Sequence, residues 1–293
     1  MDAFLDKTDS LTPAARRILC DKSTEAPHSG TYNKVVTMGT YLCRRCGLAL
    51  FRAHSQFSAG CGWPSFDGSI PDAVKQMPDD DGQRTEIICS RCDGHLGHVF
   101  MGEGFTTKNC RCCVNSASID FVNNDTVLDT EEAIVAGGCF WGVDYYLSRI
   151  PGVLKVEVGY TGGESVEPSY DEVCRGGTGH YEAVRVIFDV AKTNYFTVLK
   201  RFFEIHDPTQ RTGQGPDLGP QYRSAVFYYN DTQRIQLDVL LRALNNNGYI
   251  TTTCAKAAEP FWAAEEYHQH YYAKLDKIPY CHQPVTRFDS SIK

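Results

Sequence analysis

Two Cys-x-x-Cys pairs, Cys43-Arg44-Arg45-Cys46 and Cys89-Ser90-Arg91-Cys92, most constrain how this chain can fold. A tight knuckle presents two thiolates to one ion from neighbouring positions, and two knuckles supply the four sulfurs of a closed tetrahedral zinc site. The 42 residues between them exceed the usual zinc-ribbon gap, so the ion would join distant parts of one domain. Such a site contributes folding energy, on the order of 10 kcal/mol in zinc-finger peptides. It leaves no open position for catalysis. The other reading is two unrelated cysteine pairs, one of them a redox dithiol. A thioredoxin-like site fits less well, because neither pair sits at a strand-to-helix turn in a βαβ pattern.

The chain has 293 residues, which favours two domains. Its thirteen cysteines form an odd set in a chain large enough to bury a core without disulfides. Metal binding and thiol chemistry in a reducing compartment therefore fit better than a secreted disulfide scaffold. The first residues lack a basic start followed by an apolar core, which leads us to expect a cytoplasmic protein. No apolar run reaches the length of a membrane span. Net charge is −7, with −1 over residues 1–124 and −6 over residues 125–293, and no basic block stands out. Nucleic acid and anionic membrane surfaces, which need clustered Lys and Arg, are not expected partners.

A polar stretch at Val122-Asn123-Asn124-Asp125-Thr126 separates two kinds of pattern. Before it lie short β-like runs broken by Gly, Pro and Cys: 40–42, 48–51, 86–88, 99–101 and 117–121. They predict a small, mostly β domain over 1–124. Residues 125–132 read as a linker. After it, strands and helices alternate. Strands are expected at 133–136, 154–160, 183–188 and 224–229, and helices at 141–149, 195–205, 234–244 and 260–275. This predicts an α/β (α+β) layered sandwich over 133–293, with 277–293 as loop.

Three segments of the first half stand out chemically. They are Arg111-Cys112-Cys113-Val114-Asn115-Ser116-Ala117-Ser118, His95-Leu96-Gly97-His98-Val99-Phe100 and Gly62-Trp63-Pro64-Ser65-Phe66. Together they resemble the B-type methionine sulfoxide reductases. The resemblance makes Cys113 the attacking cysteine, flanked at minus two and plus two by Arg111 and Asn115. Residues two apart share a face in a strand, and a nearby guanidinium favours thiolate. The resemblance also assigns His95 and His98 to substrate activation and sulfoxide protonation, which suits an imidazole titrating near neutrality. The alternative for the two histidines is support of the metal ligands that they closely follow. Trp63 would cradle the substrate methyl group, and Cys61 matches the resolving cysteine. The residue before the nucleophile departs from the family, being Cys112 in place of an aromatic. Cys110 is also extra, and both compete with Cys61 as resolvers.

In the second half, Gly137-Gly138-Cys139-Phe140-Trp141-Gly142 ends a strand and opens a helix, where unpaired N–H groups and the dipole would favour a Cys139 thiolate. The segments Gly179-His180-Tyr181-Glu182, Pro168-Ser169-Tyr170, Gln214-Gly215-Pro216-Asp217 and Gln221-Tyr222-Arg223-Ser224 follow. This set resembles the A-type methionine sulfoxide reductases. The resemblance implies Cys139 as nucleophile, Phe140 and Trp141 as the apolar cage, and Glu182 as general acid. Tyr170 and Tyr222 would be hydrogen-bonding phenols, and Asp217 stands at the acidic position. Desolvation keeps a carboxyl protonated and able to donate. Residues 206–209 match as structure around the site. Ile278-Pro279-Tyr280-Cys281 matches a mobile tail carrying the resolving cysteine, with Cys281 ahead of Cys174 and Cys254.

Taken together, the resemblance implies a bifunctional repair enzyme with one structural zinc and thioredoxin as reductant. No flavin or nicotinamide fingerprint is evident. Its Cys113 site would reduce the R-sulfoxide of methionine in proteins and its Cys139 site the S-sulfoxide, one site per epimer. Two other classes fit parts of the chain. One is a redox sensor in which a sulfenic acid signals. The other is a zinc-supported adaptor attached to a single reductase.

Overall fold

The computed structural model describes residues 4–79 and 81–288. It divides into two compact units, residues 1–130 and 131–293. The first unit is mostly β. After a short helix α1 (Pro13–Leu19), the strands are β1 (Thr40–Cys43), β2 (Ala49–Arg52), β3 (Gln56–Phe57), β4 (Ser65–Phe66), β5 (Val74–Pro78), β6 (Thr85–Cys89), β7 (His95–Met101), β8 (Cys110–Val114) and β9 (Ile119–Val122). Among the described residues they form a three-stranded sheet, β2-β1-β9, and a six-stranded sheet, β3-β4-β8-β7-β6-β5. The sheets share a core in which Phe66 stacks on Phe51 at 4.5 Å and meets Tyr41 edge-on at 4.9 Å. The segment 117–121, expected as strand, begins as a 3-10 turn at Ser116–Ser118. There the Ser118 hydroxyl donates to the Asn115 carbonyl at 2.7 Å, a local bond that competes with a strand ladder.

The second unit is α/β. Its elements are β10 (Thr130–Ala136), α2 (Phe140–Leu147), β11 (Val153–Thr161), α3 (Tyr170–Arg175), β12 (Tyr181–Asp189), α4 (Tyr195–Ile205), β13 (Gly213–Gln214), β14 (Asp217–Leu218), β15 (Ala225–Tyr228), α5 (Asp231–Asn246), β16 (Cys254–Ala257), β17 (Trp262–Ala263) and α6 (Tyr271–Leu275). A mixed sheet of order β16-β15-β10-β12-β11-β17 runs through it, and β13 and β14 form a separate hairpin. Strand alternation sorts the core. Val135, Val158, Val184 and Val186 pack with Val143, Phe202, Phe203 and Leu240 of the helices. Ile134, Ala136, Tyr181 and Ala183 join Phe227 in a smaller cluster. Glu182 has the parity of Val184, which directs a carboxyl into the helix-covered side. Strand β10 starts at Thr130, three residues before the expected strand and inside the stretch read as linker.

One sequence expectation is overturned. The stretch 260–275 is not a helix. Trp262 and Ala263 pair with Tyr160 and Gly159 at the sheet edge, and helix forms only over Tyr271–Leu275. The Gln269 amide is the reason. Its nitrogen donates to the Val158 carbonyl, which also accepts from Ala264 N–H, and its oxygen accepts from Val158 N–H, all at 2.9 Å, so the side chain completes the next ladder position beside the backbone. His270 then takes a left-handed conformation, φ 52°, before the chain can turn helical. The loop expected at 277–293 is irregular over its described part, 277–288, and its remainder lies outside the described residues. No helix among the described residues is long and apolar enough to cross a membrane.

Candidate active sites and metal centre

Cys43 ends β1 and Cys89 ends β6, so the two knuckles hang from different sheets. The four sulfurs of Cys43, Cys46, Cys89 and Cys92 are buried and lie within 4.8 Å of one another. Cys43 and Cys92 are 3.6 Å apart, and Cys46 and Cys89 are 3.5 Å apart. A tetrahedron with metal–sulfur bonds of about 2.3 Å has edges of about 3.8 Å, so the residues fit one zinc ion. Without a cation, burial and mutual repulsion would keep four such thiols from ionising together; Cys43 is pushed up by the other three. Each knuckle also grips the other through an arginine. Arg45 donates to the Cys92 carbonyl at 3.1 Å and Arg91 to the Cys46 carbonyl at 3.3 Å.

Cys113 lies on β8, directly across the ladder from His98 on β7. His95 and His98 are three residues apart, so a regular strand would send them to opposite faces. The β6–β7 register shifts beside Gly97, and the two rings meet edge-on at 5.5 Å. Gly97 has φ 152°, and a Cβ there would lie 2.0 Å from the Cys113 carbonyl oxygen. The glycine of the histidine motif is thus a steric requirement of the cysteine strand. His95 is buried, its Nδ1 is 2.7 Å from Glu86, and its Nε2 has no partner among the described residues. Burial lowers its pKa while Glu86 opposes that, and the Glu86 contact holds the ring in one orientation. His98 Nε2 is 2.8 Å from Asp79. The motif reading missed Glu86 and Asp79; an isolated carboxylate carries no sequence signal for pairing with a histidine nine or nineteen residues away.

The sulfurs of Cys61 and Cys113 are 3.8 Å apart. Arg111 pairs with Glu103 at 2.6 Å and lies over Phe100 at 4.4 Å. Its guanidinium draws the Cys113 thiol toward ionisation, as expected, but burial and the Cys61 thiol outweigh it and Cys113 is pushed up to about 12. Cys61 is shifted the other way. Burial opposes its ionisation, but hydrogen bonds with Ser65, the Trp63 backbone and Cys113, with Arg111 nearby, hold it below the ordinary thiol value. Asn115 is committed to backbone: its amide donates to the Leu96 carbonyl at 3.1 Å and accepts from Glu25 N–H at 3.0 Å. Trp63 is half-buried and donates to the Glu25 carbonyl at 3.1 Å. Cys112 is buried and Cys110 partly so. Cys112, being one residue from Cys113, points to the other face of β8.

In the second unit, Cys139 caps α2. Trp141 N–H favours its thiolate, as a helix N-terminus should, but the effect loses. The neighbouring Cys281 thiol, burial and the Glu182 carboxyl together push Cys139 up. Glu182 is buried. Phe140 N–H donates to its Oε2 at 3.2 Å, and its Oε1 has no partner among the described residues. Burial pushes this carboxyl up to about 8, with Asp217 adding to the effect, so it is protonated at neutral pH. Tyr222 lies beside Glu182, and burial keeps the phenols of Tyr222 and Tyr170 protonated and able to donate. Asp217 is raised by burial and then by Cys281. The structure thus gathers Cys139, Cys281, Glu182, Tyr222 and Asp217, with Tyr170 at the margin beside the exposed Cys174.

Phe140 is buried in the core, whereas Trp141 is half-buried, stacks on Tyr271 at 3.7 Å and donates to His268 Nδ1 at 3.1 Å. His206 lies behind the site, where it accepts or donates at Ser224 Oγ, 2.8 Å away. Gln214 bonds Asp207 N–H and carbonyl, which fixes the loop against Gly138. None of the thirteen cysteines is paired in a disulfide.

Comparison with known families matches residues 131–293 to "Peptide methionine sulfoxide reductase" and residues 11–123 to "SelR domain". Peptide methionine sulfoxide reductase MsrA of Nautilia profundicola is 42% identical over 150 residues, 51% of this chain and 87% of that protein. MsrA of Methanococcoides burtonii is 44% identical over 149 residues, 50% of this chain and 97% of that one. The reduced form of Mxr1 from Saccharomyces cerevisiae superposes with a TM-score of 0.50 at 30% identity, covering 53% of this chain and 92% of that one. The fold and the two thiol sites define a thiol-based oxidoreductase. This chain belongs to the peptide methionine sulfoxide reductases, as a fusion of a B-type domain followed by an A-type domain. The match to the SelR domain and the buried four-cysteine cluster together fit a structural zinc site.

Proposed function

We propose that the two domains reduce opposite epimers of methionine sulfoxide in proteins, the Cys113 site the R-sulfoxide and the Cys139 site the S-sulfoxide, with thioredoxin restoring both. The observation that carries this reading is a second thiol beside each nucleophile, Cys61 beside Cys113 and Cys281 beside Cys139. At the second site the Cys139 thiolate attacks the sulfoxide sulfur while Glu182, protonated in its buried pocket, gives its proton to the oxygen. Tyr222 and Tyr170 donate to the same oxygen, and Trp141 packs on the methyl group. At the first site His95 and His98 supply the proton, Trp63 holds the methyl group, and Arg111 stabilises the thiolate. Asn115 holds the loop of Glu25 beside Trp63. In each case methionine leaves and the nucleophile becomes a sulfenic acid.

The neighbouring thiol then displaces water to form a disulfide, and an external dithiol reduces it by exchange. Zinc held by Cys43, Cys46, Cys89 and Cys92 would supply folding energy to the first domain. A cysteine-rich chain with an odd count and a four-cysteine metal cluster suits a reducing compartment such as the cytoplasm. The test is a single turnover without reductant, using a mixture of both epimers. The reading expects two methionines formed and four thiols consumed per chain. Methionine without loss of thiols, or one methionine per chain, would contradict it.

A further inference from the structure

His282, one residue beyond Cys281, lies outside every motif that defines the two sites. It is 1% exposed. Its Nε2 is 2.8 Å from the Gly137 carbonyl oxygen, which can only accept, so Nε2 carries the proton. In the neutral ring that leaves Nδ1 as an acceptor, and Nδ1 is 3.0 Å from the Cys281 sulfur. The ring fits because α2 has glycine at 142: a Cβ there would lie 2.2 Å from His282 Nδ1. Flanking contacts fix the segment. Tyr146 donates to the His282 carbonyl at 3.2 Å, Val285 N–H to the Glu204 carbonyl at 2.7 Å, and Arg287 to the Phe203 carbonyl at 2.9 Å. These contacts hold the chain just after the resolving thiol, from His282 to Arg287, against the helix layer.

We propose that His282 is the general base of the resolving step in the second domain, taking the Cys281 thiol proton so that the thiolate attacks the Cys139 sulfenic acid. The inference rests on Cys281 being the resolver. Cys281 S–H gives its proton to Nδ1, the sulfur–sulfur bond forms as the Cys139 S–O bond breaks, and the imidazolium proton leaves with the hydroxyl as water. Oxidation of the pair is matched by the earlier reduction of the sulfoxide. In the reduced pair the Cys281 thiol is lowered, first by its partner Cys139 and then by His282 against the opposing cost of burial; once Cys139 is oxidised to the sulfenic acid, His282 is the remaining group that draws off its proton. The other titratable groups facing this pair are Glu182 and Asp217, with His206 behind the imidazole and Tyr146, Tyr272 and Tyr280 at its margin.

The test is a single turnover of the full chain with an S-sulfoxide peptide, without reductant, with a cyclic diketone to trap sulfenic acid. His282→Gln should release methionine within about twofold of the wild-type rate, yet form the Cys139–Cys281 disulfide at least about tenfold more slowly at pH 7. Because an unassisted thiol ionises near pH 8.5, the deficit should shrink as pH approaches about 9. Wild-type disulfide formation in His282→Gln, or a deficit equal at every pH as a packing role would give, would overturn the inference. Cys281→Ser is run alongside. If it still closes a disulfide on Cys139 at the wild-type rate, the resolver assignment itself is wrong; if it accumulates trapped sulfenic acid while His282→Gln does not, only the role of His282 fails. Alkylation gives a check free of turnover. Cys281 in Cys139→Ser should react at lower pH than in Cys139→Ser/His282→Gln, and identical pH profiles would contradict the proposal.

Discussion

Cys61 and Cys113 face each other with sulfurs 3.8 Å apart, on the loop before β4 and on β8. A disulfide has a sulfur–sulfur bond of about 2.0 Å, so closure needs a movement of about 2 Å and no rearrangement of the sheet. Peptide mapping after one turnover should find a Cys61–Cys113 disulfide. Cys61→Ser should stop at a trappable sulfenic acid, while Cys110→Ser and Cys112→Ser should still close the bridge. A bridge from Cys113 to Cys110 or Cys112 in the wild type would contradict this assignment.

Glu182 holds its proton to about pH 8, against an ordinary value of 4.5. Between those values the folded domain binds a proton that the unfolded chain releases, so stability falls as pH rises through this window and levels off above it. The loss is on the order of 5 kcal/mol for a group this buried. Glu182→Gln should remove that slope in denaturant titrations at pH 5 to 9. It should also slow S-sulfoxide reduction by about 10²-fold or more. The wild-type rate should fall as pH rises through about 8. A pH-independent stability in the wild type would show that the carboxyl ionises normally.

Gly97 lies against the Cys113 carbonyl, 2.0 Å from where a Cβ would stand. Gly97→Ala should therefore cost about 3 kcal/mol of stability in the first domain and disrupt the pairing of His98 with Cys113. Thermal unfolding and R-sulfoxide turnover check it. A substitution tolerated in both would mean that the bulge at β7 does not set the site.

The four-sulfur cluster joins β1 to β6, so metal removal should unfold the first domain rather than alter its chemistry. One zinc per chain should be released by a thiol-modifying mercurial, and Cys89→Ser should abolish R-sulfoxide reduction while S-sulfoxide reduction continues. Full R-sulfoxide activity in metal-free protein would contradict the structural role.

Local patterns made much of this chain legible. The helix 195–205 appears with the bounds its apolar spacing predicts, and the strand-to-helix turn at Gly138-Cys139 lies where the glycines place it. What could not be read came from distant pairings. Gln269 completes a ladder position at a sheet edge more than a hundred residues away in sequence, and so overrides an aromatic pattern that reads as helix. The electrostatic expectations for Cys113 and Cys139 had the right local sign. Sequence shows a guanidinium two residues away or a helix N-terminus, but it does not show how deeply the thiol will be buried or that a second thiol will lie beside it. Glu86 and Asp79 escaped notice for the same reason, since each acts through a histidine that only the fold brings near; His282 adjoins Cys281 in sequence, but only the fold shows its ring turned back onto the Cys281 sulfur.

The central claim is two independent sites of opposite stereochemistry on one chain. It is tested most directly by reducing separately prepared R- and S-sulfoxide peptides, with dithiothreitol, using wild type, Cys113→Ser and Cys139→Ser. Cys113→Ser should lose the R reaction alone and Cys139→Ser the S reaction alone. Loss of both reactions in either variant, or an epimer that the wild type never reduces, would contradict it.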